Sequence, residues 1–455
     1  MEESIFQPDY MKILKALRSI GHLPHDAIRD IVDNGFDANA TEVSVYFNEK
    51  AQSAKAKERK ELSSVYIVDN GDGMSTYELT KSLVPADTGR DRDIQNDLGK
   101  FGIGLLASGL SFANKIEIIT KGIKGYLYTY ISYSEKLQTR TPVNEVRKCT
   151  PEEIALIEPY LKGSQSGTMV IISEIDRLPA TSKTVFDLRL NTTFAISRGY
   201  FHLAGKAVAK IDGKPVRYYD PLERNQAMKV SREYKIPIHK DAYGNTLTNE
   251  FVTVVLSMIR PRRSDLVNRE FPKLQNPSQK SQGFSIVRNG RELCWGQTFD
   301  MWEPSQPSNQ FRGEIRYSGK YLDEYLFDVS VTKDRVQILD KPVRDKINQL
   351  RTDFFRDVVL PMYEDQRIYN KSVRDVNATT VTSTKTSAKP KPKPVVNLNP
   401  IVSRILAINT SDTTPNQALQ ILMELKDEAK KFESNTGQTA TIWWYNQGGA
   451  TLLPD

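Results

Sequence analysis

Ala27-Ile28-Arg29-Asp30-Ile31-Val32-Asp33-Asn34-Gly35-Phe36-Asp37-Ala38 sets apolar and acidic residues at helical spacing. The pattern predicts a helix over roughly 24–39. At about 100° per residue, Asp30, Asn34 and Asp37 share one narrow arc, while Ile28, Ile31, Val32 and Gly35 point the other way. Asparagine and carboxylate oxygens one turn apart are suitable hard ligands for a magnesium ion that shares its shell with substrate phosphates. A solvated helix face has the same pattern, so the segment gains meaning only from its neighbours.

On the N-terminal side, Ile13, Leu14, Leu17 and Ile20 predict an earlier helix. On the other side, Val43, Val45 and Phe47 alternate with polar residues as in a half-buried strand. A Lys/Ala/Glu-rich excursion over 49–61 and a strand Val65-Tyr66-Ile67-Val68 follow. That strand ends on Asp69-Asn70-Gly71-Asp72-Gly73. Two glycines there let a backbone come close to a flat ligand, and a carboxylate at the strand end is placed to accept an adenine amino group. Asn-Gly and Asp-Gly also mark plain hairpin turns. Residues 75–98 are polar and read as a mobile loop. Gly99-Lys100-Phe101-Gly102-Ile103-Gly104 then opens an apolar helix, Leu105 to Phe112, where free N–H groups and the helix dipole meet phosphate oxygens. This is neither a Walker A loop nor GxGxxG. Strands at 115–120 and 125–133 follow.

In order and spacing, these segments resemble the motifs of the GHKL ATPase superfamily, which includes gyrase B, the ninety-kilodalton heat-shock chaperones, MutL and MORC proteins. Residues 27–38 resemble the N-box, and Val68–Met74 the adenine-binding box. Leu98–Leu105 is similar to the phosphate-binding box, closest to chaperone and MORC versions. Ser166-Gly167-Thr168, before the strand Met169–Ile172, resembles the late Gly-Thr motif. The resemblance implies ATP and Mg2+ as ligands. It implies Asn34 as the magnesium ligand, with Asp37 on the same face. Asp69 and Thr168 belong at adenine beside Gly73 and Met74, and Gly99, Lys100, Phe101, Gly102, Ile103 and Gly104 around the phosphates. Residues 75–98 become a lid over ATP. Where the family usually has a glutamate general base, this chain has Asp30, one methylene shorter. A transducer-type second domain implies a lysine reaching the γ-phosphate: Lys333 in Val331-Thr332-Lys333-Asp334-Arg335, with Arg335 as substitute. Gly283–Arg291 looks like a strand and turn found in MORC-like and chaperone-like relatives.

The expected fold class is therefore α+β. A Bergerat-type ATPase domain over 1–205, a mixed sheet covered by helices on one face, precedes a transducer-like α/β domain over 206–370 that ends in a helix near 341–365. Residues 371–400, including Lys389-Pro390-Lys391-Pro392-Lys393-Pro394, have the composition of a disordered linker. Residues 401–455 carry helical periodicity at Ile405, Leu419, Leu422 and Leu425 and an aromatic patch at Ile442–Tyr445.

The 455 residues are 39% hydrophobic and 26% charged, which fits a globular chain and neither a disordered nor a membrane protein. Met1–Asp9 lacks the charged-then-apolar order of a secretory signal, so a cytoplasmic location is expected. Cys149 and Cys294 are isolated and read as apolar filler, with no disulfide framework or zinc site. The net charge of +7 is uneven: Lys206–Arg291 holds 17 Lys and Arg against 8 Asp and Glu. That basic stretch is a solvated surface or a contact for DNA.

Two functions compete. One is an ATP-gated clamp that homodimerises on binding ATP, hydrolyses it and acts on DNA, as MORC-like proteins do, or on a protein client. The other is a non-hydrolysing scaffold that holds ATP and docks a protein partner through its C-terminal helix. A sensor histidine kinase is disfavoured because His22 and His25 lie too close to the N-box, and a type II topoisomerase because no cleavage-domain sequence is visible.

Overall fold

The computed structural model describes residues 9–51, 60–84, 104–141, 144–182, 184–222, 230–240, 244–258, 282–323, 326–330, 335–364, 367–368, 427 and 431. It divides into two compact units, Met1–Leu360 and Pro361–Asp455. Almost all of the second unit, including the expected linker and C-terminal helix, lies outside the described residues.

The first unit opens with α1 (Tyr10–Arg18), capped by the Asp9 carboxylate, and α2 (Pro24–Asp37), which has proline at its first turn. Helix α2 closes at Ala38, and Asn39 takes a left-handed φ of 61° that ends it. Two strands follow, β1 (Glu42–Ala51) and β2 (Lys60–Asp69). The structure differs from the sequence reading next, because α3 (Thr76–Ser82) occupies the start of the expected loop 75–98. A reciprocal capping box of Ser75 and Glu78, unread in the sequence, starts this helix. Residues 85–98 lie outside the described residues.

Helix α4 (Gly104–Phe112) leads into β3 (Ala113–Gly122), β4 (Gly125–Ser132), α5 (Tyr133–Thr139), β5 (Arg147–Lys148), α6 (Pro151–Leu161), β6 (Gly167–Ile175) and α7 (Val185–Gly199). Two short strands, β7 (Val208–Ile211) and β8 (Lys214–Pro215), complete the sheet. Its order is β5-β4-β3-β6-β2-β1-β7-β8, antiparallel except where β7 runs parallel to β1. This sheet therefore takes in two strands beyond residue 205, where the composition changes.

Alternation along the strands sorts the core into two layers. Val43, Val45, Val65, Ile67, Ile116, Ile118, Val170 and Ile172 face α1, α2, α4 and α7 through Leu14, Ile28, Val32, Leu106, Leu110, Leu188 and Ile196. The opposite face is not bare, which corrects the expectation of helices on one face only. Met169, Ile171, Ile119 and Val68 pack under α6 through Ile157 and Leu161, with Tyr46, Tyr66 and Tyr160 at the margin. The N-terminus of α6 is secured by a Thr150/Glu153 capping box.

A second sheet, ordered β12-β11-β13-β10-β9, is built from β9 (Val230–Pro237), β10 (Phe251–Met258), β11 (Gly283–Arg288), β12 (Arg291–Gln297) and β13 (Phe311–Tyr317). A two-stranded ribbon, β14 (Phe327–Val329) and β15 (Val336–Ile338), precedes a helix, Lys341–Phe354. The helix near 341–365 is thus present but turns π-helical over Phe355–Val359. Cys294 is buried and Cys149 half-buried, both as free thiols. No helix among the described residues is long and apolar enough to cross a membrane.

Leu161 is 2% exposed, so Leu161→Ala leaves a cavity beneath α6 and is expected to cost about 2–5 kcal/mol. Urea unfolding followed by circular dichroism checks this as a lower midpoint with unchanged slope.

Candidate functional site

The site is built where the C-terminal end of α2 meets the ends of β2, β3 and β6. Helix α2 is seated there by a missing side chain. A Cβ on Gly35 would stand 2.8 Å from Val43 Cγ2 and 3.0 Å from Asp69 Cβ. Only glycine lets the helix lie this close to the sheet, and Asn34 and Asp37, both half-buried, flank that contact. The turn after β2 is tied to the helix end. Asp72 N–H donates to Ala38 O at 2.9 Å, and Asn39 Nδ2 donates to Asp72 Oδ2 at 2.7 Å. Asn70 Oδ1 accepts the N–H groups of Thr41 and Glu42, and Ser166 Oγ donates to Gly71 O at 2.6 Å. The first, second and fourth sequence motifs therefore form one hydrogen-bonded unit.

Strand register aligns the polar groups within it. Asp69 on β2 is paired with Thr168 on β6, and Thr168 with Thr120 on β3. The two threonine hydroxyls lie 3.0 Å apart and share a hydrogen bond, and Thr120 Oγ1 also accepts the Met74 N–H at 3.0 Å. Asp69 Oδ1 accepts the Gly71 N–H at 2.9 Å, which orients the carboxylate. Thr120 is fully buried. In the sequence it is one polar residue in an apolar strand, and nothing there marks it as the support of both Met74 and Thr168. Gly73 has φ of +71°, and a Cβ there would stand 2.1 Å from Lys121 O. This turn is closed to any side chain and leaves its backbone against the threonine pair.

The middle of α2 differs from the sequence reading. Asp30 shares its arc with Asn34, yet it is 5% exposed and lies in an ion cluster rather than on an open acidic face. Arg291 of β12, fully buried, donates from Nη2 to Asp30 Oδ1 at 2.7 Å and from Nε to Asp33 Oδ1 at 2.7 Å. Tyr200 Oη donates to Asp33 Oδ1 at 2.6 Å. Burial opposes the Arg291 charge, but Asp33 and Asp30 more than compensate, and its pKa stands above the ordinary value. Burial and the Asp33 charge push the Tyr200 hydroxyl well above its ordinary value, so it remains a donor. The helical arc does not reveal this arrangement because the partner comes from more than 250 residues away in sequence. His22 Nδ1 lies 3.8 Å from Asp30 Oδ2 and 3.3 Å from Ser108 Oγ, so α4 is linked to the same part of α2.

Gly104 is the first residue of α4, half-buried, with open space where a Cβ would stand. Gly99, Lys100, Phe101, Gly102, Ile103 and Lys333 lie outside the described residues, and Arg335 donates its N–H to Ser330 Oγ. Among the described residues no three His, Cys, Asp or Glu side chains gather as a metal site. The donor set instead fits a magnesium ion held by the Asn34 amide oxygen together with phosphate oxygens and water. A carboxylate at a strand end, paired threonines and a turn bare of side chains at Gly71 and Gly73 fit a flat base carrying an amino group.

Residues 22–168 match the family model described as histidine kinase-, DNA gyrase B-, and HSP90-like ATPase, which supports a GHKL-type ATPase domain over that part of the chain. No curated protein matches the chain. The match spans the helix α2, the Asp69 turn, the glycine-rich segment 99–104 and Thr168. Gly73→Ala is expected to abolish ATP binding, measured by calorimetry, and to lower the thermal midpoint by more than Gly125→Ala does. Gly125 has φ of +93° but open space around it, so its substitution carries the backbone strain of about 1–2 kcal/mol without the collision.

Proposed function

We propose that this chain is a magnesium-dependent ATPase of the GHKL type whose nucleotide state gates a homodimeric clamp. The observation that carries the reading is the joining of Asp69, Thr168, Gly73 and the Asn34 end of α2 into one unit. In this reading Asp69 accepts the adenine amino group, and Thr168, backed by Thr120, fixes the register of the base. Met74 is held beside it by Thr120. Asn34 holds the magnesium ion, with Asp37 adding negative charge at the same helix end. Magnesium, when bound, neutralises phosphate charge and orients the γ-phosphoryl group. The glycine-rich segment 99–104, with Lys100, is assigned to the phosphates, and the N-terminal dipole of α4 favours negative charge beside it. Asp30 orients and deprotonates the attacking water, and Lys333 stabilises charge on the γ-phosphate. Phosphoryl transfer depends chiefly on positioning and charge, so a shorter carboxylate gives slow turnover rather than none. The clamp acts on DNA through the basic 206–291 stretch, or on a protein client, and is cytoplasmic.

A second reading, a scaffold that holds ATP without turnover, is favoured by one observation. Asp30 is buried and already engaged by Arg291, at 2.7 Å, rather than open to a water.

Steady-state hydrolysis and ATP binding in magnesium separate the two. The ATPase reading expects slow turnover in the wild type, ATP binding without turnover in Asp30→Asn, loss of magnesium-dependent binding in Asn34→Ala, and loss of binding in Asp69→Asn. Binding with no turnover above the Asp30→Asn background, with or without DNA, favours the scaffold. A non-hydrolysable ATP analogue is expected to convert monomer to dimer in sedimentation, and persistence of monomer at saturation rejects the clamp.

A further inference from the structure

The segment Asn289-Gly290 turns the chain between β11 and β12 with φ of 50° and 84°, the two positive angles of a tight type I′ hairpin. The next residue is Arg291, so its backbone has little slack. The three residues that open β12 are all tied to helices of the first sheet. Arg291 binds Asp30 and Asp33 of α2, and Glu292 is ion-paired with Arg198 of α7, both buried. Leu293 O accepts Arg29 Nη2 of α2 at 3.3 Å. The guanidinium grips Asp33 through Nε, and Asp33 is itself held by Tyr200, which leaves Nη2 directed at Asp30. The remaining nitrogen, Nη1, is buried without a hydrogen-bond partner.

Stability alone does not account for this cluster. One buried arginine against two buried carboxylates is a poor substitute for apolar packing, because desolvation offsets most of the Coulomb gain. Its geometry does have a use. Two separate nitrogens of one rigid fork hold two carboxylates at once, which a lysine cannot reproduce. An aspartate side chain has little reach, so its placement tolerates little error.

We infer that Arg291 is a positioning residue for hydrolysis: gripped by Asp33 and Tyr200, it sets the carboxylate of Asp30 and makes the hydrolytic geometry depend on how β12 sits against α2. This rests on Asp30 being the general base. The second sheet thereby acts on the site through a side chain separate from Lys333.

The test compares Arg291→Lys, Tyr200→Phe and Asp30→Asn with the wild type. Hydrolysis is expressed per bound fluorescent ATP analogue, so that misfolded protein is not counted, and thermal midpoints are measured alongside. Arg291→Gln is avoided as the sole probe because it strands two buried carboxylates and endangers folding. Arg291→Lys is expected to lower kcat by about 10- to 100-fold with KM for ATP within about twofold, the effect of displacing a reacting group by about 1 Å. Tyr200→Phe, which only loosens the Asp33 grip, is expected to shift kcat in the same direction by less. A wild-type kcat per bound nucleotide in Arg291→Lys, at whatever thermal midpoint, overturns the inference and leaves the cluster structural. A raised kcat overturns it too, since Arg291 would then restrain Asp30. If Asp30→Asn matches the wild type, or the wild type hydrolyses nothing, the base assignment fails and this inference fails with it. If Asp30→Asn is silent and Arg291→Lys is unaffected, only the role of Arg291 is lost.

Discussion

The seating of α2 on the sheet governs everything around it. With no side chain at Gly35, the helix axis approaches β1 and β2 until Val43 and Asp69 are in contact range. From that position one helix serves three surroundings. Ile28, Ile31 and Val32 enter the main core, Asn34 and Asp37 remain half-buried beside the Asp69 turn, and Asp30 and Asp33 reach the second sheet. A bulkier residue at position 35 would lift the helix and disturb all three together. The family model matched over 22–168 begins just before this helix and ends at Thr168, the strand position level with Asp69.

The Asp69 side of the site is a consequence of strand pairing. Three residues on adjacent strands, Asp69, Thr168 and Thr120, are level with one another because β2, β6 and β3 pair in a single register. A slip of one residue would turn each side chain to the opposite face. The apolar residues on both faces of these strands penalise such a slip, so packing of Ile172 and Ile118 on one face, and Met169 and Ile119 on the other, secures the polar row.

The boundary between α2, α7 and the second sheet is polar where a domain core would ordinarily be apolar. Arg198 with Glu292, His202 with Glu314, and Arg291 with Asp30 and Asp33 all meet there, and most of these groups are buried. Such contacts contribute little net stability but are intolerant of mismatch, since separating one pair leaves an uncompensated charge. An interface of this kind favours a few well-defined placements of β12 against α2 over a continuum, which suits a connection that must report position.

Local pattern was enough to find the helix at 24–39 and the strands β1 and β2 that lead to the Asp69 turn, whereas Thr168 was singled out only by the family resemblance. Those signals are short-range: helical spacing, strand alternation and glycine-rich turns are written in adjacent residues. The capping box that starts α3 is equally local, set within a polar stretch. What only the tertiary structure decided is long-range. Thr120 supports Met74 and Thr168 because three strands share a register, and α6 covers the second face because Tyr66, Ile171 and Ile119 come together from separate strands. Asp30 is enclosed by an arginine far along the chain. A helical wheel places Asp30 beside Asn34 correctly, but whether that arc meets water, a metal ion or a guanidinium depends on which distant element packs against it, and the sequence of the helix does not contain that partner.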